Sequence, residues 1–341
     1  MKRKMIALFL AASLAACGGC GTARNDSDAL SSVSYSERTA VSEASCASSA
    51  GESASAAQTA PVSVAAETPT PAQTETPPPT ETPAPESDEV TSETVAFDPN
   101  WTYAGNSQIH AGTAVLYTAK PSLRKNITVC VNAGHGTEGG ENVYTLCHPD
   151  GSAKVTGGST AAGSTYAMAV AGGTTLLDGT PERSATLSLA LLLKNKLLDA
   201  GYNVLMIRET DDVQLDNIAR TLMANNLADC HIAIHYDSTD SDKGAFYMSV
   251  PDNAAYRAME PVASTWENDD LLGDSVIRGL SAVGVKIYSS GSLEADLTQT
   301  SYSTVPSIDL EVGDRASDHS ENVQSTIADG IVQGVTNYFG Q

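Results

Sequence analysis

From residue 22 to residue 96 the chain is built of Ser, Thr, Ala, Glu and Pro and carries almost no large apolar side chains. A stretch of that composition cannot bury enough surface to offset the entropy lost on ordering it. No core can form there, so any fold must come from the rest of the chain. The part densest in Pro and Thr, residues 68–85, should run as extended polyproline-like chain. A coil of about 70 such residues has a root-mean-square reach of roughly 45 Å, and full extension approaches about 240 Å. This segment reads as a tether.

The tether begins behind an export signal. Lys2, Arg3 and Lys4 precede an apolar run over residues 5–16. That run is too short to cross a bilayer core of about 30 Å as a helix, which favours a cleaved signal peptide. It ends in Leu14-Ala15-Ala16-Cys17, which resembles the lipobox of bacterial lipoproteins. The resemblance implies that the Cys17 thiol receives a lipid and becomes the mature N-terminus. Acyl chains contribute about 0.8 kcal/mol per buried methylene. A diacylated Cys17 would therefore hold the protein outside the cytoplasm, on the outer face of the cell membrane, with the lipid as its sole membrane contact. The expected organisation is a signal over residues 1–16, a tether over 17–96 and a folded domain over 125–341. Residues 97–124, with Trp101, Tyr103 and Tyr117, either add a strand to that domain or end the tether.

Nineteen Lys and Arg against 41 Asp and Glu give a formal charge of −22. That excludes nucleic acid as a partner, and also binding to anionic lipid or polymer by charge alone. The cysteines Cys17, Cys20, Cys46, Cys130, Cys147 and Cys230 match no zinc-knuckle spacing. Cys130 and Cys230 sit in apolar, strand-like runs and read as buried hydrophobes; a disulfide between them stays open.

Over residues 125–341, strand-like and helix-like segments alternate. Residues 127–132 form a short apolar run leading into Ala133-Gly134-His135-Gly136, as a buried strand does before a loop. Thr180-Pro181-Glu182 has the form of an N-cap, a first-turn Pro and a first-turn acid, with an apolar helix to follow and Gly201 as its stop. Next come a strand (203–208), a helix (214–227) and strands at 230–235 and 245–250. Helical stretches near 253–267 and 271–283 precede strands at 285–288 and 307–311. In the last helix, over 320–339, Val323, Ile327, Ile331, Val335 and Tyr338 recur at helical spacing. The expected fold is a single α/β domain with a twisted, mostly parallel (mixed) sheet of about six strands flanked by helices on both faces.

His135, His235 and Glu311 each fall at or just past the end of an expected strand, and Glu182 opens a helix. In open α/β sheets such positions converge on one edge, where ligands bind. Two imidazoles and a carboxylate make a three-ligand zinc site with one position left for water. A second carboxylate can take the water's proton and pass it to a leaving amine. The sequence spacings are long, so no local metal motif supports this reading.

Five segments support it together: Val131-Asn132-Ala133-Gly134-His135-Gly136, the helix-opening Glu182, Arg220-Thr221-Leu222-Met223-Ala224-Asn225, Ile232-Ala233-Ile234-His235, and Val305-Pro306-Ser307-Ile308-Asp309-Leu310-Glu311. In order and interval they resemble the zinc-dependent N-acetylmuramoyl-L-alanine amidase family, over roughly residues 125–339. The resemblance implies Zn2+ held by His135, Glu182 and His235, with Glu311 as the catalytic acid. The implied substrate is peptidoglycan, cut at the amide joining N-acetylmuramic acid to the stem's L-alanine. Asn132, Arg208 and Arg220 are expected around the ligands or against substrate. The chain departs from the family in carrying Asn132 where an Asp is usual, in a long insert over 137–181, and in the turn after Glu311. The chain is expected to act as a monomer.

Other readings compete at several positions. Glu138 and Glu141 rival Glu182 as third ligand, and Asp309 and Asp314 flank Glu311 as solvated acids or substitutes for it. Arg208 and Arg220 are expected to pair with acids. His231, about 13 Å from His235 at strand rise, is expected to be structural; His110, His148 and His319 are expected to be exposed. A zinc peptidase acting on the stem peptide and a non-catalytic, wall-binding lipoprotein are the alternative functions.

Overall fold

The computed structural model describes residues 87–340. The signal peptide, Cys17 and nearly all of the tether lie outside the described residues. In chain order the strands and helices are β1 (Thr91–Ala96), β2 (Thr113–Thr118), β3 (Thr128–Ala133), β4 (Tyr144–Leu146), β5 (Tyr166–Met168), α1 (Glu182–Asp199), β6 (Asn203–Met206) and α2 (Asn217–Leu227). There follow β7 (Cys230–Asp237), β8 (Ala245–Ser249), α3 (Ala254–Arg257), α4 (Val262–Ala282), β9 (Ile287–Glu294), α5 (Thr298–Ser301), β10 (Ser307–Asp314) and α6 (Glu321–Phe339). Among the described residues no helix is long and apolar enough to cross a membrane.

Eight strands form one mixed sheet in the order β1-β2-β6-β3-β7-β10-β8-β9, and β4 and β5 pair separately. The β6-β3-β7-β10 centre is parallel. As expected for strands buried on both faces, it is nearly continuous apolar sequence. One face carries Val129, Val131, Ile232, Ile234, Ile308 and Leu310, and packs on α1, α4 and α6. Ile327, Ile331 and Val335 of α6 are buried there, at the helical spacing read from sequence. The α4–α6 contact is made at glycines: a Cβ on Gly334 would stand 2.8 Å from the Ser275 carbonyl oxygen. The other face carries Cys130, Leu205 and Ile207 against Ala219 and Met223 of α2.

The sheet is larger than the six strands expected, because it starts inside the stretch read as tether. β1 is an edge strand with only Val95 part-buried, so it needs no apolar run, and composition alone could not separate it from coil. Residues 97–124 belong to the domain. β2 pairs with β6, and Phe97 and Trp101 pack against the helix that carries Ile218 and Leu222. The Asp216 carboxylate holds the junction. It caps α2 through the Ala219 N–H at 2.7 Å and also accepts from the N–H groups of Gln108 and Ile109 at 2.6 and 2.9 Å. The helix expected in two pieces near 253–283 is instead a single turn, α3, followed by one continuous helix, α4. Cys130 and Cys230 are both free thiols, so the disulfide is ruled out. In the β3–β7 register Val129 lies beside Cys230 and Cys130 beside His231, which sends the two side chains to opposite faces.

Candidate metal centre

β3 and β7 are parallel neighbours, with Ala133 opposite Ile234. The chain leaves β3 through Gly134 and then turns at His135 (φ 62) and Gly136 (φ 74), both left-handed. A non-glycine residue in that region is uncommon and strained. Here the turn aims the His135 ring back across the sheet end. Gly134 leaves the space that His235 fills: a Cβ there would lie 2.5 Å from His235 Nε2 and 2.6 Å from Nδ1. α1 starts at Glu182, one residue later than the sequence suggests, with Pro181 rather than Thr180 at its N-cap and no side chain capping this end.

These elements bring three groups to one point. His135 Nε2 lies 2.8 Å from Glu182 Oε1. His235 Nδ1 lies 3.1 Å from both His135 Nε2 and Glu182 Oε1. Two of them, His135 and Glu182, are held from behind. His135 Nδ1 meets the Ala171 carbonyl oxygen at 2.7 Å. Glu182 Oε2 accepts from the Thr174 N–H at 2.8 Å, and Oε1 accepts from the Tyr236 N–H at 3.1 Å. Two of these supports, Ala171 and Thr174, belong to the 137–181 insert, which therefore lines the site from behind. A carbonyl oxygen can only accept, so His135 Nδ1 carries the ring's hydrogen and Nε2 presents a lone pair when the ring is neutral. That lone pair faces a carboxylate oxygen at 2.8 Å. Two acceptors at that separation need a cation or a proton between them.

The electrostatics follow from burial and these contacts. Burial pushes the Glu182 carboxyl up, but when the His135 and His235 rings are protonated, their hydrogen bonds and charge outweigh it and hold the group well below the usual carboxylate range. Burial pulls His235 down, yet Asp309 first and then Glu182 raise it to about 10. Glu311 stands beside His235 in the β10–β7 register. It is 8% exposed, and its Oε2 has no hydrogen-bond partner among the described residues. Burial, reinforced by Asp309 and Glu182, pushes its carboxyl well above the ordinary range despite the opposing pull of His235.

His135, Glu182 and His235 form the one group of three metal-ligating side chains found close together among the described residues. Glu138 and Glu141 are exposed and outside it. Asp314 lies away from the site, with its carboxylate accepting from Lys243 N and Ala316 N.

The two arginines do not pair with acids as expected. Arg208 donates to the carbonyl oxygens of Ala133, Gly134, Arg183 and Thr210. Arg220 donates to the carbonyl oxygens of Leu215 and His135 and to Asn132 Oδ1 and Thr137 Oγ1. Both are buried, out of reach of a substrate, and act as braces for the loop that carries His135. Asn132 makes no hydrogen bond to the three converging side chains either; its amide meets Arg220 and, at 3.2 Å, His231 Nε2. An Asp at 132 would set a second buried charge beside Arg220. His231 is fully buried, as a structural histidine should be. His148, expected at the surface, is buried against Asp296 at 3.0 Å. Its Gly- and Ser-rich surroundings gave no sign of that partner, 148 residues away. Asp309 was legible only as an acid near Glu311. Its spacing of two residues puts it on the same strand face, with its Oδ2 3.5 Å from His235 Nε2.

Residues 129–337, more than half of the chain, match the family model for N-acetylmuramoyl-L-alanine amidase. The chain belongs to that family. Among solved structures it is similar to the N-acetylmuramyl-L-alanine amidase of Mycobacterium smegmatis, at 20% identity and a TM-score of 0.51, covering 64% of this chain and 98% of that one. The corresponding enzyme of Mycobacterium abscessus, in its apo form, matches at 22% identity and a TM-score of 0.49, over 63% and 99% of the two chains. An N-acetylmuramoyl-L-alanine amidase from Clostridium difficile 630 matches at 21% identity and 0.46, over 63% and 97%. No curated protein matches the sequence. The amidase family is one of cell-wall hydrolases acting on peptidoglycan, and in this member its matched segment spans the three converging side chains and Glu311.

Proposed function

We propose that this amidase binds one Zn2+ through His135 Nε2, Glu182 Oε1 and His235 Nδ1, and hydrolyses the amide between the lactyl group of N-acetylmuramic acid and L-alanine. The observation that carries the reading is the approach of two imidazole nitrogens and a carboxylate oxygen to within 3.1 Å of one another, with the His135 lone pair directed at Glu182. The donor set fits the ion: two neutral imidazoles and one carboxylate are a known catalytic zinc set that leaves a position open. Zinc in such a site supplies Lewis acidity, making water acidic enough to attack near pH 7 and polarising the scissile carbonyl.

The protein's own groups do the remaining work. Glu311, buried and with a free oxygen, takes the proton of the attacking water and delivers it to the amine of L-alanine as the C–N bond breaks. Glu182 stays ionised and oriented through the Thr174 and Tyr236 N–H groups. The Ala171 carbonyl keeps the His135 hydrogen on Nδ1, so that Nε2 remains available.

At the other end of the chain, the lipobox-like Leu14-Ala15-Ala16-Cys17 supports a lipid anchor on the outer membrane face. A Cys17→Ser chain should leave the membrane fraction.

Mass spectrometry of peptidoglycan digested by the zinc-loaded chain tests the activity. The expected products are stem peptides with a free L-alanine amine and glycan with free lactyl carboxylates. Glycan still bearing L-alanine would mean a stem-peptide peptidase, and undigested polymer would mean a binding protein.

A further inference from the structure

We propose that Asp309 is a positioning residue for the metal centre: it faces the outer nitrogen of His235 and so commits the inner one to the metal. This rests on the zinc reading above.

His235 has two ring nitrogens with different surroundings. Nδ1 lies 3.1 Å from both His135 Nε2 and Glu182 Oε1. Nε2 points the other way, 3.5 Å from Asp309 Oδ2. A ring that gives its Nδ1 lone pair to a metal must carry its hydrogen on Nε2. The group that Nε2 meets is a carboxylate, which when ionised can only accept. The 3.5 Å separation is a charge contact rather than a formed hydrogen bond, and it acts by favouring the Nε2–H form and by raising the basicity of Nδ1.

The placement of Asp309 has no ready structural explanation. It sits mid-strand in β10, opposite Ala233 of β7, and is 8% exposed. Its neighbours Ile308 and Leu310 point to the other face and are fully buried. Among the described residues no hydrogen-bond donor is recorded on its carboxylate, and His235 is its sole ion-pair partner. An apolar side chain would fill this site beside Ala233 without desolvating a charge. A carboxylate kept in such a place, with His235 as its one ion-pair partner among the described residues, is explained by that partner. Asp309 lies outside the group of converging atoms of His135, Glu182 and His235, so it acts through His235.

The test is zinc affinity, measured on the full chain by competition with a chromophoric chelator, for the parent, Asp309→Asn and Asp309→Glu. Removing an outer carboxylate partner of a ligating histidine typically weakens metal binding about 10–100-fold. We expect Asp309→Asn to lose that much, with the zinc-free protein's melting temperature unchanged or raised, and Asp309→Glu to recover part of the loss. Equal zinc affinity in parent and Asp309→Asn would overturn the proposal. So would 15N spectra of the zinc-loaded parent showing the His235 hydrogen on Nδ1, a readout that needs no variant. A parent chain that binds no zinc would overturn the zinc reading itself, a separate and recognisable failure.

Discussion

Gly134→Ala should damage the metal centre while leaving the fold almost untouched. The new Cβ would stand 2.5 Å from His235 Nε2 and 2.6 Å from Nδ1, where ordinary van der Waals contact begins at 3.4 Å. The ring must therefore retreat by roughly 1 Å, about five times the ~0.2 Å tolerance on metal–ligand distances. Gly134 lies outside the left-handed region, so alanine brings no backbone strain there. Its smaller unfolded-state entropy favours the variant by about 0.4–1 kcal/mol. The displaced group is a side chain, so the folded protein should stay within about 1 kcal/mol of the parent. Activity should fall about 100-fold, as for other misplacements of that size, and zinc affinity at least tenfold. Chelator competition, denaturant unfolding of the zinc-free protein and release of stem peptides measure the three quantities. Undiminished zinc affinity and activity would refute the claim that His235, seated against Gly134, is a ligand.

Glu311→Gln should retain zinc at parental stoichiometry while losing activity by at least about 100-fold, read from stem-peptide release and metal analysis of the same sample. Arg220→Met should cost about 3–5 kcal/mol in urea unfolding, because it strands the buried acceptors His135 O and Asn132 Oδ1 and leaves Leu215 O with Thr137 Oγ1 alone. His231, buried and beside Arg220, is depressed from the usual 6.5 to about 3. The unfolded chain therefore takes up a proton below pH 6.5 that the folded one refuses until about pH 3, and stability falls as pH falls through that window. The expected slope is about 1.4 kcal/mol per pH unit for this group, and zinc-free His231→Gln should lack it; parallel pH–stability curves for the two proteins would argue against it.

The parts of this fold that were legible from sequence are those where burial dictates residue type. The β6-β3-β7-β10 centre is a set of apolar runs, and α6 shows its face through Ile327, Ile331 and Val335. The edge strand β1 was not legible, since an exposed strand needs no apolar residues, and Asp216's tie to residues 108 and 109 spans more than a hundred positions. At the site the same division holds. His135, Glu182 and His235 could be singled out because each sits where a strand ends or a helix starts, and the five-segment resemblance supplied the rest. Their supports could not be: Ala171 and Thr174 act through backbone groups, which leave no trace in residue type. Arg208 and Arg220 were misjudged for a related reason. A buried arginine suggests a buried acid, but a loop with many unpaired carbonyls satisfies a guanidinium equally well.

X-ray absorption at the zinc edge of the metal-loaded full chain bears most directly on the three-ligand centre. Nitrogen and oxygen neighbours at about 2.0–2.1 Å, the scattering signature of two imidazoles, and loss of one imidazole in His235→Ala are the predicted result. A sulfur shell near 2.3 Å, which would bring in the free cysteines, or no tightly bound zinc at all, would contradict it.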